Sequence, residues 1–212
     1  MSTSNHPDQA WFVSYAAGSL TPSFNLLLQA HLAVCSQCRC GLKKADEIGA
    51  QFMFGGEEAP MDNFEMPNPQ LGVNQNESIE WGKDEVTDLS QFFDHYIGTH
   101  LDGLQWMNAG KGLQLCKLSD SDDDKMLMLR AAPGTVLPKH RHNGSELTLV
   151  LKGAYFCEDA LFKVGDIEDA DDTTLHQPVV TNDSECICVA AVDGPLRFSG
   201  LLQRVAQPFL GI

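Results

Sequence analysis

Gly134, His140, His142, Glu146 and Gly153 fall in the spacing G-x5-H-x-H-x3-E-x6-G, a pattern that fits short β-strands gathered around a metal ion. Residues two apart on a strand share a face, so His140 and His142 point the same way. The Asn143-Gly144 pair reads as a turn that puts Glu146 on the next strand. Two imidazoles and a carboxylate so placed suit a divalent transition metal, with Zn²⁺, Fe²⁺, Mn²⁺ and Ni²⁺ all compatible. Treating the two histidines as solvated loop residues leaves the rest of the spacing unexplained.

A second donor group stands far upstream. His31, Cys35 and Cys38 read H-x3-C-x2-C, which suits tetrahedral zinc. A Cys-x2-Cys turn lets both sulfurs reach one ion, and a histidine four residues earlier joins from the end of the preceding helix. The run itself lacks a fourth ligand. His6, at the start of the first helix, is the first choice, and Cys40 competes for the place. Any one of these residues alone reads as ordinary core; three at this spacing point to a metal.

The upstream region has the rhythm of helices. Pro7 suits the first turn of a helix running to Gly18, and Thr21-Pro22 repeats a cap-then-proline start. Phe24, Leu27, Leu28 and His31 recur at helical spacing, which puts the histidine on a buried stripe. A third helix is expected after Cys38, with Leu42, Ala45, Ile48 and Phe52 as its apolar face, while Trp11, Phe12 and Tyr15 read as core of the first. Three such helices bury little apolar surface, so a structural zinc stands where it is needed.

From Gly55 to about Ser78 the chain carries Pro60, Pro67 and Pro69 and little apolar periodicity, which predicts a linker. A short helix near Asp88 to Leu101 leads into a region of strands. These are expected at Leu113–Leu118, Lys125–Ala131, Glu146–Leu151, Ala154–Cys157, Glu185–Val192 and Leu196–Leu202, separated by turn residues. The reading is α+β in two domains: a zinc-stabilised helical bundle with an acidic linker over 1–85, then an antiparallel barrel or jelly roll over 90–205.

Charge narrows the function. With 29 Asp and Glu against 14 Lys and Arg the chain opposes phosphate, so direct nucleic-acid binding is not expected. An acidic surface instead steers basic protein partners. The runs Glu57-Glu58 and Asp122-Asp123-Asp124 read as solvated charge. Seven cysteines with no secretion signal speak for metal ligation or thiol chemistry over a disulfide framework. No run is long enough to cross a bilayer, and a cytoplasmic protein is expected.

The stretch Tyr15 to Leu20 followed by His31 to Arg39 resembles the zinc-binding anti-sigma domain of bacterial transcription regulators. That resemblance implies zinc held by His6, His31, Cys35 and Cys38, and a further helix somewhere in 58–80. The downstream pattern resembles the first cupin motif, and Gly165-Asp166-Ile167 resembles the start of the second, which implies His176 as a third histidine ligand beside His140, His142 and Glu146. The whole order, closing with Pro195 to Phe198 and Arg204 to Gln207, resembles the ChrR-type anti-sigma factors. It implies a non-enzymatic regulator that binds an extracytoplasmic-function sigma factor as a 1:1 heterodimer. Release would follow oxidative stress, singlet oxygen or organic hydroperoxide, sensed by a cupin holding Zn²⁺ or another divalent metal. A metal-dependent cupin enzyme of dioxygenase or hydrolase type is the alternative. Cys186 and Cys188 share a strand face and read first as buried core thiols, with a sensing role second.

Overall fold

The computed structural model describes residues 3–55, 89–98, 100–121, 124–195 and 197–198. The expected linker, the further helix in 58–80, Glu57-Glu58, Asp122-Asp123 and most of the strand expected at Leu196–Leu202 lie outside them.

Among the described residues four α-helices come first: α1 (Gln9–Ala16), α2 (Pro22–Val34), α3 (Ser36–Gly55) and α4 (Leu89–Ile97). Asp8 caps α1 by accepting a hydrogen bond from the Ala10 N–H at 2.8 Å. Pro7 therefore stands before the cap and not in the first turn as expected. In α2 Pro22 does take the first position. Its cap, however, is supplied from another part of the chain. Asp124 accepts from the Thr21 hydroxyl at 2.6 Å and from the Ser23 N–H at 3.2 Å. The expectation that Asp124 is solvated charge is thus corrected, because a helix start has orphan N–H groups and a positive dipole end that draw a carboxylate. The third helix begins at Ser36 and contains Cys38, rather than following it as expected. Of its expected apolar face, Ala45 is buried, whereas Ile48 is 52% and Phe52 80% exposed.

The strands are β1 (Met107–Gly110), β2 (Leu113–Ser121), β3 (Asp124–Ala131), β4 (His140–Arg141), β5 (Glu146–Lys152), β6 (Ala154–Cys157), β7 (Ala160–Lys163), β8 (Ile167–Ala170), β9 (Leu175–His176), β10 (Val179–Val180), β11 (Cys186–Val192) and β12 (Arg197–Phe198). They form a six-stranded sheet in the order β1-β2-β3-β11-β5-β8 and two three-stranded sheets, β10-β6-β7 and β12-β4-β9. Every pairing is antiparallel. The turn at Asn143-Gly144 carries the chain from the sheet of β4 to that of β5.

Both faces of the large sheet are buried, and strand alternation divides the work. Leu147, Leu149 and Leu151 of β5, with Ile187, Val189 and Ala191 of β11, join one core with Phe24, Leu27, Leu28 and Leu32 of α2. Cys186 and Cys188 of β11 and Val150 of β5 face the other way, into a second cluster with Tyr155, Phe162 and Val180. The helices therefore share a core with the barrel. Burying a Leu or Phe side chain contributes about 1.5–3 kcal/mol, so this shared seam is a large part of what holds α2.

Candidate metal centres

The helical centre forms where α2 ends and α3 begins. His31 lies in the last turn of α2, Cys35 follows as its C-cap, and Cys38 is one turn further on. Helical spacing brings the two sulfurs together, and the Cys38 N–H donates to Cys35 Sγ at 3.4 Å. His6 arrives from the segment before α1, its Nδ1 3.5 Å from Cys35 Sγ and 3.3 Å from Cys38 Sγ. His31 Nε2 stands 3.1 Å from Cys38 Sγ. These four residues offer donor atoms within 4.8 Å of one another. Cys40, the competitor for the fourth place, is exposed.

Chemistry fits a cation here. His31 Nδ1 lies 2.7 Å from the Gly165 carbonyl oxygen. A carbonyl only accepts, so Nδ1 carries the proton and Nε2 turns its lone pair toward Cys38. Burial raises the Cys35 thiol, but the polar surroundings of His31 and Thr3 and the Cys38 N–H override it and bring the thiol down to about 5. Burial and the neighbouring Cys35 push Cys38 up instead. A buried lone pair, a thiolate and a second sulfur crowded together are stabilised by a metal. Bonds of about 2.0–2.1 Å to nitrogen and 2.3 Å to sulfur in a tetrahedron put N···S edges near ~3.5 Å, close to the distances seen.

The barrel centre gathers His140 from β4, His142 just after it, and His176 from β9. Cross-strand register places His140 directly opposite His176. His176 Nε2 lies 3.0 Å from both His140 Nε2 and His142 Nε2. Again the far side of each ring decides the chemistry. His140 Nδ1 donates to the Pro138 carbonyl at 2.8 Å, and His176 Nδ1 donates to Glu168 at 2.7 Å. Both rings thereby aim Nε2 lone pairs at each other, an arrangement that requires a proton or a metal ion between them. Burial lowers His140, and burial with the nearby His176 brings His142 down to about 4. Burial opposes charge on His176, but the Glu168 hydrogen bond and charge prevail and raise it.

Glu146 is placed differently from the three histidines. Its Oε2 is 3.1 Å from His142 Nδ1, yet out of line for a hydrogen bond, so that buried nitrogen has no hydrogen-bond partner. The mutually close donors are His140, His142 and His176, without Glu146. Burial raises the Glu146 carboxyl. An apolar cavity of about 120 Å³ lies inside the barrel, lined among others by Leu115, Leu127 and Val180, and reaches Glu146, His140 and His176. Cys186 and Cys188 also line it, with sulfurs 3.5 Å apart. The Cys186 hydrogen bond and burial hold the Cys188 thiol well above its usual range.

Sequence reasoning missed Glu168 and Tyr155, whose hydroxyl donates to Glu168 at 2.6 Å. It also missed Gly165 as an acceptor for His31. No spacing rule announces these groups; a buried carboxylate with polar neighbours on alternate strand positions is the only trace.

A helical unit with a His₂Cys₂ donor group, packed on an antiparallel barrel with three converging histidines, defines an α+β fold with two candidate metal sites. Residues 94–195 match the family model described as the ChrR cupin-like domain. Over 216 aligned residues, covering 100% of both chains, the sequence is 33% identical to the anti-sigma-E factor ChrR of Cereibacter sphaeroides. The crystal structure of Rhodobacter sphaeroides SigE in complex with the anti-sigma ChrR contains a chain that matches with a TM-score of 0.71 and 31% identity, covering 91% of this chain and 100% of that one. The chain belongs to the ChrR family.

Proposed function

We propose that this protein is a cytoplasmic anti-sigma factor. Its helical unit, residues 1–85, holds Zn²⁺ through His6, His31, Cys35 and Cys38 and binds an extracytoplasmic-function sigma factor as a 1:1 heterodimer that keeps it from RNA polymerase. The barrel unit, residues 90–205, holds Zn²⁺ or another divalent transition metal through His140, His142 and His176 with Glu146 beside them. It converts an oxidative signal, singlet oxygen or an organic hydroperoxide, into release of the sigma factor.

The observation that carries this reading is the likeness to an anti-sigma factor along the entire length of both chains. Physical features agree with it. Val13 of α1 and Ile48 and Phe52 of α3 are more than half exposed on two helices that pack on each other, which is the surface an obligate protein partner covers. The net charge of −15 complements a basic partner. Among the described residues no helix is long and apolar enough to cross a membrane.

Co-expression with an extracytoplasmic-function sigma factor of the same organism, followed by run-off transcription, tests the reading. A stable pair and silenced transcription are expected, with both lost in the Cys35→Ser, Cys38→Ser double variant or after chelation. Full silencing by the metal-stripped protein overturns the role given to zinc; turnover of a small molecule without sigma association favours the enzyme.

A further inference from the structure

The two candidate centres lie on opposite sides of one strand. In β8 successive side chains alternate, and Ile167 joins the core shared with the helices. Asp169, on the same face, accepts from the Asp8 N–H and from Trp11 Nε1, each at 2.9 Å. Glu168 between them faces the barrel and fixes His176. The turn that leads into β8 reaches the helical centre directly. Gly165 offers its carbonyl to His31, and Asp166, 0% exposed, accepts from the Ser4 N–H at 2.7 Å and from Asn5 Nδ2 at 3.0 Å. Asn5 also donates to the Leu161 carbonyl at 2.8 Å and receives the Ile167 N–H at 3.3 Å, and the next residue is His6. Gly165 has φ +90°, and a Cβ there would stand 3.1 Å from Thr3 and 3.4 Å from Val34. The turn is seated against the start of the chain and the end of α2, where any side chain would be strained by the positive φ and would crowd Thr3.

We propose that Gly165, Asp166 and Glu168 form a positioning segment shared by both metal centres, so that losing the metal at the barrel centre weakens metal retention at the helical one. Gly165 sets the tautomer and direction of His31, Asp166 sets His6 through Asn5, and Glu168, two residues further on, sets His176. A shift of β8 that accompanies loss of the barrel ion moves acceptors of the helical ligands with it. Removing such supporting contacts typically costs about 10–100-fold in metal affinity. By linkage the effect is reciprocal: helical occupancy favours barrel occupancy by the same factor. This inference rests on the reading that both centres bind metal.

The experiment uses the full chain carrying Cys157→Ser, which removes the barrel thiol that groups with Glu168 and His176, and loaded with Co²⁺, whose thiolate charge-transfer absorption then reports the helical centre. Affinity is measured by competition with a chelator. In Glu168→Gln, which contacts no residue of the helical centre, helical affinity is expected to fall by about 10-fold or more. The variant His142→Ala, which empties the barrel centre without touching β8, is expected to lower it in the same direction. In the Asn5→Ala background, where the side-chain bonds to Asp166 and Leu161 are gone and the backbone bonds remain, Glu168→Gln is expected to add less than it costs in wild type. Unchanged helical affinity in Glu168→Gln and His142→Ala, or additive losses in the double variant, overturns the shared segment. Wild type that binds no metal at one centre overturns instead the reading on which the segment depends.

Discussion

Leu149→Ala tests whether helices and barrel are one cooperative structure. Leu149 lies in the middle of β5, 0% exposed, on the face that packs against α2. Truncation removes the transfer free energy of its methyl groups and leaves a cavity walled by a sheet on one side and a helix on the other. Neither wall collapses easily, so the cost falls in the usual range of about 2–5 kcal/mol. With a urea slope near ~3 kcal/mol per M, the unfolding midpoint drops by about 1 M. Urea titration should be followed by tryptophan fluorescence in a Trp11→Phe, Trp81→Phe background, which leaves Trp106 beside the barrel as the reporter, and by metal release from the Cys35 and Cys38 thiols. Because α2 shares its core with β5 and β11, both signals should move together and by the same amount. If fluorescence from the barrel shifts while thiolate metal release keeps its wild-type midpoint, the shared core does not couple the units and the reasoning fails.

Asp124→Ala removes the acceptor that caps α2 and should lower stability by about 1 kcal/mol, read as a drop in thermal midpoint that Asp124→Asn, which keeps an acceptor oxygen, partly restores. Phe52→Asp should leave folding within about 0.5 kcal/mol of wild type, since the ring is 80% exposed. It should nevertheless weaken sigma binding by about 2 kcal/mol or more in a titration, as an aromatic hot spot does; unaltered binding excludes this face from the interface. Hydrogen bonds from Arg130 and Lys152 hold the Glu185 carboxyl below its ordinary value. A depressed carboxyl stabilises the fold above its unfolded range and loses that contribution as pH falls through the folded value. Glu185→Gln should therefore cost under about 1 kcal/mol at neutral pH and nothing in strong acid, and a cost that persists in acid refutes the assignment.

Motif spacing and strand alternation made both donor groups and the longer strands legible, because His140, His142, Cys35 and Cys38 are local patterns. Strand β8 shows where that legibility stops. Its sequence, Ile-Glu-Asp-Ala, is polar in the middle, yet Asp169 is satisfied by Asp8 and Trp11 far up the chain and Glu168 by His176 on the next strand. Asp124 was hidden for the same reason, lying 101 positions from the N–H it caps. Ile48 and Phe52 show the opposite limit: helical periodicity correctly marks an apolar stripe, but it does not say whether this chain or another protein covers it.

Three of the candidate ligands follow one rule. His31, His140 and His176 each donate Nδ1–H to an acceptor fixed elsewhere, the carbonyls of Gly165 and Pro138 and the carboxylate of Glu168. The tautomer is thus set by the fold before any ion arrives, and Nε2 is left in position to bind it. An imidazole rotating freely would lose orientational entropy on binding; these three have lost it on folding. His142 departs from the rule, since its Nδ1 meets only the misaligned Glu146 carboxylate. Its ring is held by packing and by the contact of Nε2 with His176, not by an acceptor for Nδ1. Substituting a ligand asks whether a metal binds, whereas substituting its acceptor asks whether the fold prepares the site. Only the second question distinguishes a centre built into the structure from histidines that happen to be near one another.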